Sequence, residues 1–451
     1  MRNGRRPDQT RLHPRINLIR PHTPVFQTLV DGIILGPMPD ARCTQETYRC
    51  ERWRALSAGI LETAGTTFLL LIAVRHYEAG PFAKALVAAG GSLGLMLSPW
   101  VVTRVAALGW PTAQASARLA VVGAGCFLIM ALVPVLPVFV IGAVLAMTTS
   151  SAVIPLLTQI YQENYPERQR GKLFSRAFII RIATAALFSE LAGRALSNRI
   201  GYFPWLLAVF AGAFAFAAFT LVRIPSRPLA TLAGTHPFRS LRYARDDRLF
   251  RQTLISWMFL GFATLMMLPL RVEYLANEKH GVLLDGKPLT AATIAMLTGV
   301  IPNVARLVLN PLWGWLFDRM NFFTLRITLN IGFALGALSF FVGGSLPWLV
   351  LGAVLFGIAN AGADLAWSLW VTKFAPPERV ADYMSAHTFF TGLRGLFAPL
   401  VAFYVLAGMP LHFAGWICAG LILVGTGFLI PEIKHGRRAR PASALVEEVS
   451  E

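Results

Sequence analysis

Twelve stretches of roughly 20 mostly apolar residues run through this sequence, and about 20 is the length an α-helix needs to cross a membrane's hydrocarbon core. They fall near 55–76, 82–108, 112–133, 137–162, 173–197, 203–223, 253–276, 290–317, 323–344, 347–373, 385–408 and 412–431. Composition agrees: 55% of the 451 residues are hydrophobic, 14% are charged, and the mean hydropathy is +0.57. A soluble domain carries about 25% charged residues, so this chain lacks the polar surface to cover a water-soluble globule. The pattern predicts an all-α polytopic membrane protein and excludes a soluble enzyme.

The net charge of +18 raises the question of nucleic acid. Most Lys and Arg, however, lie in the gaps between apolar runs, where membrane topology requires them, so no nucleic-acid partner is expected. One side of the membrane receives ten Arg before the first span, the loop from Arg168 to Arg176, seven Arg between Arg223 and Arg251, and the tail with Lys434, Arg437, Arg438 and Arg440. The positive-inside rule makes that side, with both termini, cytoplasmic. A bacterial inner (plasma) membrane is the expected location. The first 24 residues are rich in Arg and Pro and have no apolar core, so they read as a disordered basic tail, preferred over an organellar transit peptide. Residues 26–38 (Leu29, Val30, Ile33, Ile34, Leu35) are too few to span and read as an interfacial segment. Cys43, Cys50, Cys126 and Cys418 show no metal-ligand spacing, so no metal, cofactor or disulfide framework is expected.

Transporters are often built from duplicated halves, and an internal repeat is visible here. Pro166-Glu167-Arg168 after span 4 recurs as Pro377-Glu378-Arg379 after span 10, followed by Ser175 and Ser385 opening the next spans. Ser98-Pro99 in span 2 matches Asn310-Pro311 in span 8. Arg118 and Arg326 open spans 3 and 9, while Arg75 and Arg271 end spans 1 and 7. The order is the same in both halves. Two six-helix bundles follow, over 53–223 and 253–433, with a basic, largely disordered cytoplasmic segment expected over 1–52, a cytoplasmic central loop over 224–252 and a cytoplasmic tail over 434–451.

In this layout, and in Gly314-Trp315-Leu316-Phe317-Asp318-Arg319 followed by Arg326, the chain resembles the major facilitator superfamily. That resemblance implies twelve helices in two pseudo-symmetric bundles and makes Gly314, Asp318, Arg319 and Arg326 a cytoplasmic gating motif. Asn321 stands where the family has Gly, and the first-half copy, Thr103-Arg104-Val105-Ala106, has no aspartate. It also implies that spans 1, 4, 7 and 10 line a central cavity, and that spans 5 and 8 meet across the halves.

Ionisable side chains at bilayer depth are costly and mark functional sites. Six stand out: Glu62, Arg181, Glu190, Arg306, Asp364 and Arg394. Glu62, Asp364 and Arg394 lie about 12 to 14 Å from the cytoplasmic helix ends, at 1.5 Å per residue. The expected pairs are Glu62 with Arg181 in the first half and Asp364 with Arg394 in the second. Neither pair is copied by the repeat. A Glu190–Arg306 bridge between halves is expected as a gate, with Arg194, one turn after Glu190, as the competing partner. Gly59, Glu62, Thr63 and Thr66 form one small-polar stripe, and Gly357, Asn360, Ala361, Asp364 and Ser368 another, with Trp367 beside it. Both read as cavity faces, with close helix packing as the competing explanation. For Thr148, Thr149, Ser150 and Ser151 packing is preferred. His387 and His412 are expected at the interface near helix ends. Between Gly281 and Leu289 an Asp285-Gly286 turn signals a hairpin.

The expected function is secondary transport of a small polar or amphipathic solute by alternating access, coupled to protons through Glu62 or Asp364, by a monomer in the lipid bilayer. Span 4 carries no intramembrane Arg and span 5 no Gly-Pro pair, which argues against a drug exporter of the resembled family. No phosphate-binding G-x-x-x-x-G-K run occurs, so ATP is not the energy source. Two rivals are a polytopic enzyme, disfavoured because no Asp/Glu/His cluster sits at a membrane boundary, and a sensor or assembly factor that keeps the fold without transporting.

Overall fold

The computed structural model describes residues 41–229, 238–284, 286–370 and 380–436. They form twelve long helices: α1 (Ala41–Arg75), α2 (Pro81–Ala107), α3 (Thr112–Leu132), α4 (Leu136–Asn164), α5 (Glu167–Asn198), α6 (Phe203–Val222), α7 (Arg248–Ala276), α8 (Ala291–Ala295 continuing through Ile301–Arg319), α9 (Phe322–Val342), α10 (Leu346–Leu369), α11 (Val380–Tyr404) and α12 (Leu411–Gly427). Ten are long and apolar enough to cross a membrane. α5 is diluted by Arg176, Arg181, Glu190 and Arg194, and α12 has only 17 residues.

Local chemistry sets where the helices begin. Proline occupies the first turn of α2, α4, α6 and α10, where its missing N–H costs nothing. Asp247, Thr290 and Asn321 cap α7, α8 and α9 by accepting from the backbone N–H of Phe250, Thr293 and Phe323. α1 begins earlier than the sequence suggests. Residues 41–52, expected to be disordered, are helical because their polar face is satisfied inside the bundle. Glu51 accepts from the Tyr161 hydroxyl at 2.6 Å and from Arg54, and Asn164 donates to Thr47 at 2.9 Å. The hairpin forms as expected, with Leu283–Leu284 antiparallel to Lys287–Pro288 and Gly286 at φ 75°. The 26–38 segment, the second Pro377-Glu378-Arg379 copy and the side chains of Glu167, Arg168, Asp285, Asp318 and Ser368 lie outside the described residues.

The repeat is written in the packing. In the first bundle α1 packs on α5 and α6, α3 on α4 and α6, and α2 on α4; in the second, α7 packs on α11 and α12, α9 on α10 and α12, and α8 on α10. Each pair of the first set has its counterpart in the second. Large apolar side chains such as Val121, Ile141, Leu187, Trp205, Val308 and Leu423 point outward, as lipid contact demands.

The halves meet where α2 lies against α11 and α5 against α8. Small residues make both seams. Gly392 and Gly395 face Ser92 and Met96, Gly193 faces Ala292 and Ala295, and Gly299 faces Ser189. Within the first bundle, Gly94 seats on Thr148 and Ser151, and Thr148 donates to the Gly90 carbonyl at 3.0 Å, so the polar run of α4 serves packing. Gly94→Val is therefore expected to destabilise the protein by about 1 to 3 kcal/mol, the usual cost of overpacking. Gly212→Val, with no neighbouring atom in reach, should leave thermal unfolding in detergent unchanged.

Candidate functional site

Two helices interrupt their regular turn at the same level of the structure. α1 contains a π turn at Ala64–Phe68 and α8 one at Met296–Val300. Such turns are frequent at functional sites because they rotate the residues that follow. The two turns touch across the halves, Thr67 Oγ1 lying 3.1 Å from Thr298 Oγ1. Immediately on the side of the chain ends sits a chain of alternating charges.

Glu62, two residues before the α1 π turn, is its centre. Arg181 Nε of α5 donates to Glu62 Oε2 at 2.6 Å, and Arg306 Nη1 of α8 donates to Glu62 Oε1 at 2.6 Å. Arg306 Nε donates in turn to Asp364 Oδ2 of α10 at 2.5 Å, and its Nη1 also reaches Asn303 Oδ1 at 3.3 Å. The Phe178 ring lies 5.2 Å from the Arg306 guanidinium carbon and 5.6 Å from that of Arg181. The order Arg181, Glu62, Arg306, Asp364 balances charge to zero, which lets four ionised groups share a low-dielectric interior. The link from Glu62 to Arg306 joins the two halves.

Exposure runs along the chain. The Arg306 and Glu62 side chains are 6% and 12% exposed, Asp364 27% and Arg181 40%. Arg181 does not face lipid, for the outward side of α5 is taken by Ile179, Ala183 and Leu187. Beyond the network, toward the hairpin, the halves are joined. Besides Thr67 and Thr298, Ser197 accepts from the Ala292 N–H, and Lys84 Nζ of α2 reaches Glu273 Oε1 of α7 at 2.7 Å. His280 Nε2 is 3.7 Å from the same oxygen, and Arg75 donates to the Leu289 carbonyl at 3.0 Å. The open end of Arg181 therefore looks toward the chain ends. A polar cavity of about 470 Å³ at that face, lined by Arg242, Tyr243, Asp246, Asp247, Arg248 and Tyr383, is separate from the network.

Glu62 and Arg181 meet as the sequence suggests; the other expected pairs do not. Asp364 bonds Arg306, and Arg394 instead donates to the Trp257 carbonyl inside the second bundle. Glu190 takes its own-helix partner, Arg194 Nε at 2.6 Å, in an exposed pair. The reason is rotation: Ser189 occupies the seam against Gly299, and the next residue points about 100° away at 3.6 residues per turn. Of the stripe residues, Gly59 packs on the α5 backbone at Arg181, and Gly357 on Pro302. Thr66 donates to the Glu62 carbonyl at 2.9 Å, and Asn360 is half-buried one turn before Asp364. Trp367 lies against His387, ring centroids 5.7 Å apart. His387 is fully buried, contrary to expectation, whereas His412 is exposed. In the gating motif, Gly314 is half-buried and Arg319 stacks over Trp315 at 4.3 Å. Arg326 is drawn into the bundle, 3.8 Å from the Trp257 ring centroid.

Sequence reasoning missed the hub role of Arg306, the two π turns and the Lys84–Glu273 link. Only the hub left a trace, as an arginine midway along an apolar span whose nearest acid on the same helix, Asp318, lies more than three turns away.

A model of the Major Facilitator Superfamily matches residues 274–447, most of the second half. Over that stretch the chain is similar to the major facilitator superfamily. Among solved structures, the nucleoside transporter NupG superposes with a TM-score of 0.66 over 86% of this chain and 98% of that one, at 14% identity. A D-xylose-proton symporter gives 0.59 over 86% and 95%, at 16% identity. Likeness at that identity carries the fold alone. A curated relative from Escherichia coli O81 (strain ED1a), named "Putative multidrug resistance protein MdtD", is 33% identical over 122 residues. That stretch is 27% of this chain, which spans about 25% of the relative's length.

Removing the shared cation should be costly. Arg306→Met leaves two carboxylates facing each other and is expected to destabilise the protein by about 3 to 5 kcal/mol, the cost of breaking a buried pair from one side. Glu190→Gln, at the exposed pair, should stay within about 0.5 kcal/mol. Chemical unfolding of the purified variants checks both.

Proposed function

We propose that this protein is a secondary transporter that moves a small polar or amphipathic solute by alternating access, with protons coupled at Glu62 and Asp364. The observation that carries the reading is Arg306, one guanidinium held by a carboxylate from each half. Opening the seam between α1 and α8 must separate Arg306 from Glu62. A carboxylate that loses its cation in a low-dielectric interior becomes a far better proton acceptor. Asp364, on the same half as Arg306, can keep the guanidinium while Glu62 takes a proton, so proton uptake and seam opening become one event. Arg181, the most exposed member, is then free to meet an anionic or hydrogen-bonding group of the solute.

This reading makes the protein a permease with no chemical step and no cofactor, working as a monomer in a bacterial inner membrane with both termini cytoplasmic. The basic residues gathered on the face of the chain ends support that orientation. Solutes of the similar structures, nucleosides and D-xylose, are the first probes to try. The relative's drug-resistance name rests on a quarter of its length and does not outweigh the missing span 4 arginine.

Two experiments test the proposal. In proteoliposomes, Glu62→Gln and Asp364→Asn should abolish uptake driven by a pH gradient while retaining solute exchange at equal concentration. If both variants still accumulate solute against a gradient, coupling lies elsewhere. A disulfide between Thr67→Cys and Thr298→Cys, whose parent oxygens are 3.1 Å apart, should pin the seam shut. Transport should stop on oxidation and return with reductant; an oxidised protein that transports normally contradicts alternating access at this seam.

A further inference from the structure

The second bundle holds another group of basic side chains, and among the described residues this one has no acid. Arg326 of α9 is 2% exposed, Arg394 of α11 5%, and His387 of α11 0%. All three surround Trp257 of α7. The Arg326 guanidinium lies 3.8 Å from the Trp257 ring centroid, Arg394 Nη1 donates to the Trp257 carbonyl, and the His387 ring is 5.2 Å from the indole. Neither arginine makes an ion pair among the described residues. Arg326 Nη1, Arg394 Nε, the Trp257 indole N–H and both His387 ring nitrogens are buried with no hydrogen-bond partner.

Five unsatisfied polar atoms around one indole are too many for packing to ignore. Arginine keeps its proton in proteins, so neither guanidinium can become neutral. Buried cations need a counter-charge, and the aromatic faces of Trp257, Trp367 and Trp370 offer only partial compensation. A water molecule could satisfy donors but not charge. The surroundings also limit size. A Cβ on Gly261 would collide with the Arg394 guanidinium, one on Gly362 with Trp313 and Leu329, and Ala366 and Ala386 are fully buried.

We propose that Arg326, Arg394 and the Trp257 indole N–H bind a small inorganic anion of halide size within the C-terminal bundle. His387 donates from one ring nitrogen and closes the site on the α11 side. The anion ties α7, α9 and α11 together at the end of the bundle nearest the chain ends. This site is separate from the Glu62–Arg306–Asp364 network, so it stands whether or not the transport reading does.

The test is thermal unfolding of the purified full-length protein as chloride replaces gluconate at constant ionic strength and pH. A ligand that binds only the folded state raises its stability by RT ln(1 + [L]/Kd). The midpoint should therefore climb with the logarithm of chloride concentration once Kd is passed. Arg326→Gln and Arg394→Gln should each flatten the climb, while the exposed Arg199→Gln should leave it unchanged. A midpoint indifferent to chloride, or a climb that survives both core variants, overturns the proposal. So does a response to phosphate alone, which is too large for so enclosed a site. Should neither core variant fold, crystals of the wild type grown in bromide decide. Anomalous density between Arg326 and Arg394 supports the site, and flat density there overturns it.

Discussion

A guanidinium cannot shed its charge inside a membrane, so whatever surrounds Arg306 must supply negative charge. Glu62 and Asp364 do so from opposite halves of the protein. The arrangement of the centre follows from that requirement. α8 must bring Arg306 within reach of α1 and α10 at once, and the π turns in α1 and α8 sit where this happens. Arg181 completes the neutral chain and opens it to the side of the chain ends.

The scaffold and the site obey different symmetries. Helix contacts repeat between halves, pair for pair, because the same sequence of spans packs by the same small-residue rules. The charged network does not repeat: the first half gives Glu62 and Arg181, the second Arg306 and Asp364. A symmetric frame can rock, but only an asymmetric site makes the two orientations differ in charge pairing. The small residues at the seams, Gly193, Gly299, Gly392 and Gly395 among them, let the halves approach closely without interlocking large side chains.

The spans, the repeat, the hairpin and the Glu62–Arg181 pair are legible in the sequence because each rests on hydropathy, spacing or depth along one helix. The partners of Asp364 and Glu190 are not. A shift of one residue turns a helical side chain by about 100°, so the difference between Ser189 and Glu190 at the seam is invisible without knowing how α5 is rotated. The π turns add a local rotation that no residue type announces. The early start of α1 is hidden because Glu51 and Arg54 look like solvent-facing charges until Tyr161 is placed beside them. Position near a helix end points to the membrane boundary for His387 and Arg326, yet aromatic packing around Trp257 draws both inward.

The Glu62–Arg306 bond ties the two halves together beside the π turns, so its loss should let the seam open through to the hairpin side. The most direct measurement is the distance distribution between spin labels at Arg199 and Lys279, on opposite halves near that face, followed against pH in lipid. Wild type should be short at high pH and lengthen as Glu62 takes a proton, while Glu62→Gln should be long at every pH. A Glu62→Gln distribution that matches the wild type throughout contradicts the account.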